Sequence, residues 1–200
     1  MARPASDVQI LDLVTTALAQ DRPSGLSEML RSVASALDAD GAILWQLAPP
    51  SSSRAGWMFL LADWFREPPR WLVHEMPVYG SITGEAIRRQ ETRNVVTAAD
   101  LWAHHDRFLR DGQINAFCSV PVSFGEGDPV HNGGAVNLYR QQPGGFASSE
   151  LQHAERVASL VPSLYHSIRG RVSVNLLAAV ARRESPDLIH RVVQFTAPLL

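Results

Sequence analysis

The stretch from Gly80 to Tyr139 constrains the fold more than any other part of the chain, because three short signals follow one another there. Gly80-Ser81-Ile82-Thr83-Gly84-Glu85-Ala86-Ile87 reads as a glycine-marked helix start, with a Ser81 hydroxyl able to cap and Glu85 in the electropositive first turn. Asn94-Val95-Val96-Thr97 follows as a short β-branched strand. Phe117 to Phe124 and Gly134 to Tyr139 then read as two strands, joined by the turn-rich Gly125-Glu126-Gly127-Asp128-Pro129.

Two hundred residues suit one complete domain with extra helix at its ends. Hydrophobic residues make up 46% of the chain and charged residues 19%, below the usual charged share of about 25%, so some apolar surface is expected to meet a partner. The formal net charge is −2, and no basic run exceeds Arg88-Arg89 or Arg182-Arg183. That removes the electrostatic footprint of a nucleic-acid binder. Met1 to Asp7 lacks the apolar core of a secretory signal, and the most apolar window, Trp57 to Phe65, is interrupted by Asp63 and too short to span a bilayer. The expectation is a cytoplasmic protein with no membrane partner. One cysteine, Cys118, rules out an internal disulfide, and its place in an apolar strand pattern predicts a buried, inert thiol.

Along the chain, residues 1–7 are expected to be disordered. Val8, Leu11, Val14 and Leu18 recur at steps of three and four, predicting a helix over 8–20. After the break at Asp21 to Gly25, a second helix carries Leu26, Met29, Leu30, Val33, Ala34 and Leu37 on its core face. Asp38-Ala39-Asp40-Gly41 turns it into the strand Ala42 to Leu47. Further strands are expected at Trp57 to Asp63 and Trp71 to Met76, separated by Pro68-Pro69, and a short covering helix at 98–110. Ser149 with Gln152 three residues on reads as a capping box opening a long helix.

That helix holds Leu151, Ala154, Ala158, Val161, Tyr165, Ile168, Val172, Asn175 and Ala179 at a spacing of about 3.5 residues, the seam of a coiled coil. Pro162 would kink it. The seam predicts a homodimer; the same spacing also suits a helix lying on its own domain. An internal repeat bears on the C-terminus. Superposing Ile10 on Val172 without a gap brings Val14 onto Leu176, Leu26 onto Leu188, Leu30 onto Val192 and Leu37 onto Leu199. Residues 170–200 thus read as a helical linker and the truncated opening helices of a second copy of the domain.

The order of these elements resembles a GAF domain over residues 8–169. The motifs that carry the resemblance are Asp38-Ala39-Asp40-Gly41-Ala42, Gly80 to Ile87, Arg93-Asn94-Val95-Val96, Ser119-Val120-Pro121-Val122 and Phe146-Ala147-Ser148-Ser149-Glu150-Leu151. The resemblance implies an α+β fold. Its central antiparallel sheet has about six strands, with N- and C-terminal helices on one face and a ligand cavity on the other. It further implies a non-catalytic sensory or regulatory module that passes a signal through paired terminal helices to an output domain outside this chain. The alternatives are a dimerisation module with no ligand, and a redox or haem sensor.

Several activities of the family can be tested on these residues. Cyclic-nucleotide-binding members carry an Asn-Lys pair, a Phe and an Asp-Glu pair; Asn137 and Phe146 match, while Leu138 replaces the Lys and Glu150-Leu151 stands where Asp-Glu would be. Cys118-Ser119 does not fit bilin attachment, and a single thiol does not supply the two cysteines of the methionine-sulfoxide-reductase branch. His104 and His105 lie in the segment resembling the cavity lid, but adjacent histidines point apart and have no partner at metal-ligand spacing. No catalytic or metal residue is assigned, and no cofactor is named. If a small-molecule ligand binds, it is expected between the sheet and Leu101 to Phe108, among Trp45, Tyr79, Thr83, Trp102, Phe108, Ser119 and Asn137. Trp45, Trp57 and Trp102 would line such a cavity or simply fill the core.

Overall fold

A computed structural model of the chain describes residues 25–67, 72–96, 114–124 and 132–167. The elements are α1 (Gly25–Ala36), β1 (Gly41–Leu47), β2 (Trp57–Phe65), β3 (Glu75–Pro77), α2 (Ile82–Arg89), β4 (Arg93–Val95), β5 (Ala116–Ser123), β6 (Gly133–Arg140) and α3 (Ser148–Ala158). The expected helices at 8–20 and 98–110, the turn at 125–129 and the repeat at 172–200 lie outside the described residues.

The six strands form one sheet in the order β3-β2-β1-β6-β5-β4, with every neighbouring pair antiparallel. The first and last strands are therefore adjacent at its centre. There β1 and β6 are covered on both faces, which is why they read as nearly continuous apolar runs. Ala42, Leu44, Cys118, Val120, Val136 and Leu138 face one layer of core together with α1 and α3. Ile43, Trp45, Phe117, Ala135 and Tyr139 point the other way, beneath α2. Such strict alternation follows from the two-residue period of the pleat.

Helix α1 places Leu26, Met29, Leu30, Val33 and Ala34 against the sheet, as the spacing predicts. Each large apolar side chain buried this way contributes roughly 1.5–3 kcal/mol. The helix gives way to β1 through Asp38, which adopts the left-handed conformation (φ 48°) that a short polar side chain tolerates.

Strand β2 departs from the simple reading. Leu44 pairs with Ala62 but Trp45 pairs with Leu60, so Leu61 is an extra residue and forms a bulge. A bulge switches which alternate residues face each side. Asp63 and Phe65 before it, and Met58 and Leu60 after it in the pairing, thereby all face the α2 side. Strand β3 is short and pairs only with Trp57 to Phe59. The His74 carbonyl still accepts from the Leu60 N–H; of the strand expected from Trp71 to Met76, Glu75 and Met76 belong to β3, residues 72–74 do not, and Trp71 lies outside the described residues.

The C-terminal helix differs from the expected continuous seam in two respects. Its N-cap is Ala147, because the Glu150 carboxylate reaches back to accept the Ala147 N–H (2.6 Å). Ser149 already lies inside the helix. The helix then ends at Ala158, and helical residues resume at 161–167 with Pro162 in the first turn, where a missing N–H costs nothing. Ala154, Ala158, Val161 and Tyr165 are buried in the chain's own core. Over the described residues, most of the proposed seam is turned toward the sheet.

Among the described residues β5 runs on past its pairing with β4, and Pro121 lies on that stretch, where a missing N–H breaks no ladder. Phe124 donates to Asn132, so the even-numbered residues of β5 bond to β6 and the odd-numbered ones face outward. Pro121 thus removes one of the N–H groups that would otherwise point outward there.

Candidate functional site

The α2 face of the sheet holds the polar residues. Asn137 and Tyr139 sit two apart on β6 and share that face, and Ser119 on β5 is directly opposite Asn137. Helix α2 brings Thr83 to them. Its start is set by Gly80 in the left-handed region (φ 81°) and by Ser81, whose hydroxyl accepts the Gly84 N–H (3.0 Å) and donates to the Val78 carbonyl (3.1 Å). Gly84 allows the helix to rest on that turn, since a Cβ there would overlap the Val78 carbonyl. Glu85 pairs with Arg89 and Arg93, tying the outer side of α2 to β4.

The four side chains form one network centred on Asn137. Asn137 Nδ2 donates to Thr83 Oγ1 (2.8 Å) and to the Tyr139 hydroxyl (3.0 Å), while its Oδ1 accepts from Ser119 Oγ (2.8 Å). Both N–H groups and the carbonyl of the amide are engaged. Thr83, Ser119 and Asn137 are at most 1% exposed, so each bond forms in a medium where an unmade one would be costly. The network holds α2 to the sheet.

Trp45 lies on the same face, paired with Ala135 next to Asn137 on β6. Its ring is fully buried, and its indole Nε1 has no hydrogen-bond partner. Tyr79 is elsewhere: it is 71% exposed, with the Arg88 guanidinium stacked over its ring at 5.4 Å. Of the seven residues expected to line a site, then, Trp45, Thr83, Ser119 and Asn137 share one buried face and Tyr79 does not. Trp102 and Phe108 lie outside the described residues, as do His104 and His105.

Two members of this face were not expected. Tyr139 is legible in retrospect, because two residues from Asn137 on one strand means the same side of the sheet. Asp63 is not, because the Leu61 bulge decides its orientation. It pairs with Ile43 and is half-buried. Burial pushes its carboxyl above the ordinary range, and the charge of His74 pulls it partly back.

On the opposite face Cys118 is buried, and desolvation, with smaller contributions from Glu155 and Glu150, pushes its thiol up to about 12. An inert thiol is what the apolar strand pattern predicts. No group of three or more His, Cys, Asp or Glu side chains suited to a metal ion occurs among the described residues. No helix among them is long and apolar enough to cross a membrane.

The GAF domain family model matches residues 21–161, well over half of the chain. No curated protein matches the chain. Among solved structures, the GAF domain of a phosphoenolpyruvate-protein phosphotransferase from Acinetobacter is similar at 20% identity, covering 86% of this chain and 99% of that one, with a TM-score of 0.58. The free methionine-R-sulfoxide reductase of Neisseria meningitidis, solved with its substrate, shares 12% identity over 85% of this chain and 97% of its own, with a TM-score of 0.61. A phycocyanobilin-bound GAF domain of a cyanobacterial phytochrome shares 12% identity over 80% and 96%, with a TM-score of 0.59. At these identities the likeness to solved structures is one of fold.

Proposed function

We propose that this chain, which belongs to the GAF family of sensory and regulatory domains, is a non-catalytic sensor whose small ligand binds on the α2 face of the sheet. The observation that carries this reading is an asymmetry between the two faces. The layer against α1 and α3 is apolar apart from the Cys118 thiol and the Tyr165 hydroxyl, with the Arg140 guanidinium where the helices meet the sheet. The buried serine, threonine and asparagine side chains among the described residues, Ser81, Thr83, Ser119 and Asn137, all belong to the α2 side, together with the unpaired indole N–H of Trp45. Polar groups of this kind, few and convergent in an apolar setting, are the usual makeup of a small-molecule site.

A catalytic role is opposed by the chemistry of Cys118. Its thiol stays protonated at neutral pH, so it lacks the thiolate that a reductase nucleophile needs. Cyclic-nucleotide binding is opposed in turn by Asn137, whose amide is already spent on Thr83, Ser119 and Tyr139, and by Leu138, which faces α1 and α3. The signal would leave through α1, α3 and the segments that flank them, toward an output domain in a cytoplasmic protein. Self-association through the terminal segments, expected from the seam spacing, is part of this reading; light scattering at micromolar concentration should return twice the chain mass, and a monomer there removes it.

Full burial of Trp45 and internal satisfaction of the Asn137 network favour a second reading, a structural module with a filled interior. Thermal-shift screening of nucleotides, haem and small aromatic or acidic metabolites separates the two. A ligand at one hundred times its dissociation constant stabilises by about 2.7 kcal/mol, a clear rise in melting temperature. If no compound stabilises the protein, the structural reading replaces the sensor.

A further inference from the structure

We infer that the ligand of the α2 face is a neutral, largely apolar molecule that presents a hydrogen-bond acceptor, a carbonyl oxygen or ring nitrogen, to Nε1 of Trp45. This rests on the sensory reading above and narrows the chemistry of that same site. Asn137, Thr83 and Ser119, the polar groups a ligand would ordinarily engage, are already bonded to one another, and the Asn137 amide has both N–H groups and its carbonyl engaged. The Trp45 indole is the one buried side-chain polar atom among the described residues with no partner. A buried N–H left unpaired costs roughly 1–3 kcal/mol, and most buried polar groups in folded proteins do find a partner.

An acceptor delivered to Nε1 recovers that cost, and an apolar molecule of the same shape does not. The surroundings decide the rest of the ligand. Trp45 packs in one cluster with Ile43, Met58, Met76, Val78 and Ile82, which suits an apolar or aromatic body. Net negative charge is disfavoured, because Asp63 projects from the same face of the sheet and its carboxyl is already driven toward the neutral form by burial. An added anion nearby would raise that cost.

The test uses a matched series on the full chain: acetophenone, which has a carbonyl acceptor, ethylbenzene, which has the same body without one, and benzoate, which carries charge. Melting temperature and the indole ¹H–¹⁵N resonance of Trp45 are the readouts. Acetophenone is expected to stabilise more than either companion and to move the indole proton downfield in a saturable way. Its advantage over ethylbenzene should disappear in Trp45→Phe; should that variant fail to fold, the indole resonance of the unaltered chain decides. Equal stabilisation by acetophenone and ethylbenzene with no downfield shift overturns the acceptor inference while leaving a pocket in place. No binding by any of the three overturns the inference and weakens the pocket itself. Tighter binding of benzoate overturns the assignment of a neutral ligand.

Discussion

Asn137 on the last strand donates to Thr83 on α2 across 2.8 Å, joining residues 54 positions apart in the chain. The bond is the link between the sheet and the helix that roofs its polar face. Removing either partner should therefore register as stability, and by different amounts. Thr83→Val keeps the shape and orphans one amide N–H, at about 1–2 kcal/mol. Asn137→Ala takes the shared partner from the hydroxyls of Ser119, Thr83 and Tyr139 at once, at about 3 kcal/mol. Urea unfolding should show midpoints falling in that order with slopes unchanged. Equal, small effects would mean that α2 is held by apolar packing alone.

Arg140 plays a comparable part on the other side of the sheet. Its guanidinium donates to the carbonyls of Leu37, Asp38 and Gly145 and to the Glu150 carboxylate, and lies 4.2 Å from the Phe146 ring. One side chain thereby clasps the end of α1, the end of β6 and the start of α3. Lysine has no planar fork to replace it. Arg140→Lys is expected to lower stability by about 2 kcal/mol in the same urea assay, and a neutral result would show that the helices dock without the clasp.

Cys118 should be silent in the native state. With the thiol raised to about 12, modification by a soluble disulfide reagent should stay slow through the range where an ordinary thiol ionises, about pH 8.5. It should become fast once the chain is unfolded in guanidinium. Rapid labelling of the folded protein would instead mark this cysteine as a redox sensor.

Asp63 gives a pH dependence of definite sign. Its folded-state value lies above the unfolded one because of burial, so the native state takes up the proton first as pH falls. Stability from this group is lost as pH rises through the folded value and recovered toward the unfolded value near 3.8. Asp63→Asn should accordingly raise the melting temperature at neutral pH, with the gain shrinking under acid conditions. A gain that persists unchanged at low pH would mean the carboxylate is not destabilising the fold.

Much of this architecture is legible in the sequence. The spacing of Leu26, Met29, Leu30 and Val33 marks α1, Gly80 and Ser81 mark α2, and the alternation through Asn137 and Tyr139 marks the face of β6, because each of these signals is local. What is not legible depends on the pairing of distant segments. The Leu61 bulge, which turns Asp63 onto the α2 face, exists only once β1 and β2 are in register. Tyr79 follows the same logic: it is one residue before Gly80, and the turn there sends its ring outward beside Arg88. The spacing of Ala154, Ala158 and Val161 fits a seam and a core face equally well, and the sheet already occupies that face.

A sensor must do more than bind. Occupation of the α2 face has to change the helices on the opposite face, and a coupling of roughly 1–3 kcal/mol, or 5- to 150-fold, is the scale expected of such a link. Hydrogen exchange at the amides of α1 and α3, with and without the compound that raises the melting temperature most, measures it directly. The account predicts that exchange in Gly25–Ala36 and Ser148–Ala158 changes by a factor in that range, beyond what global stabilisation gives the rest of the core. Protection confined to α2 and the residues beneath it, with α1 and α3 unaltered, would contradict it.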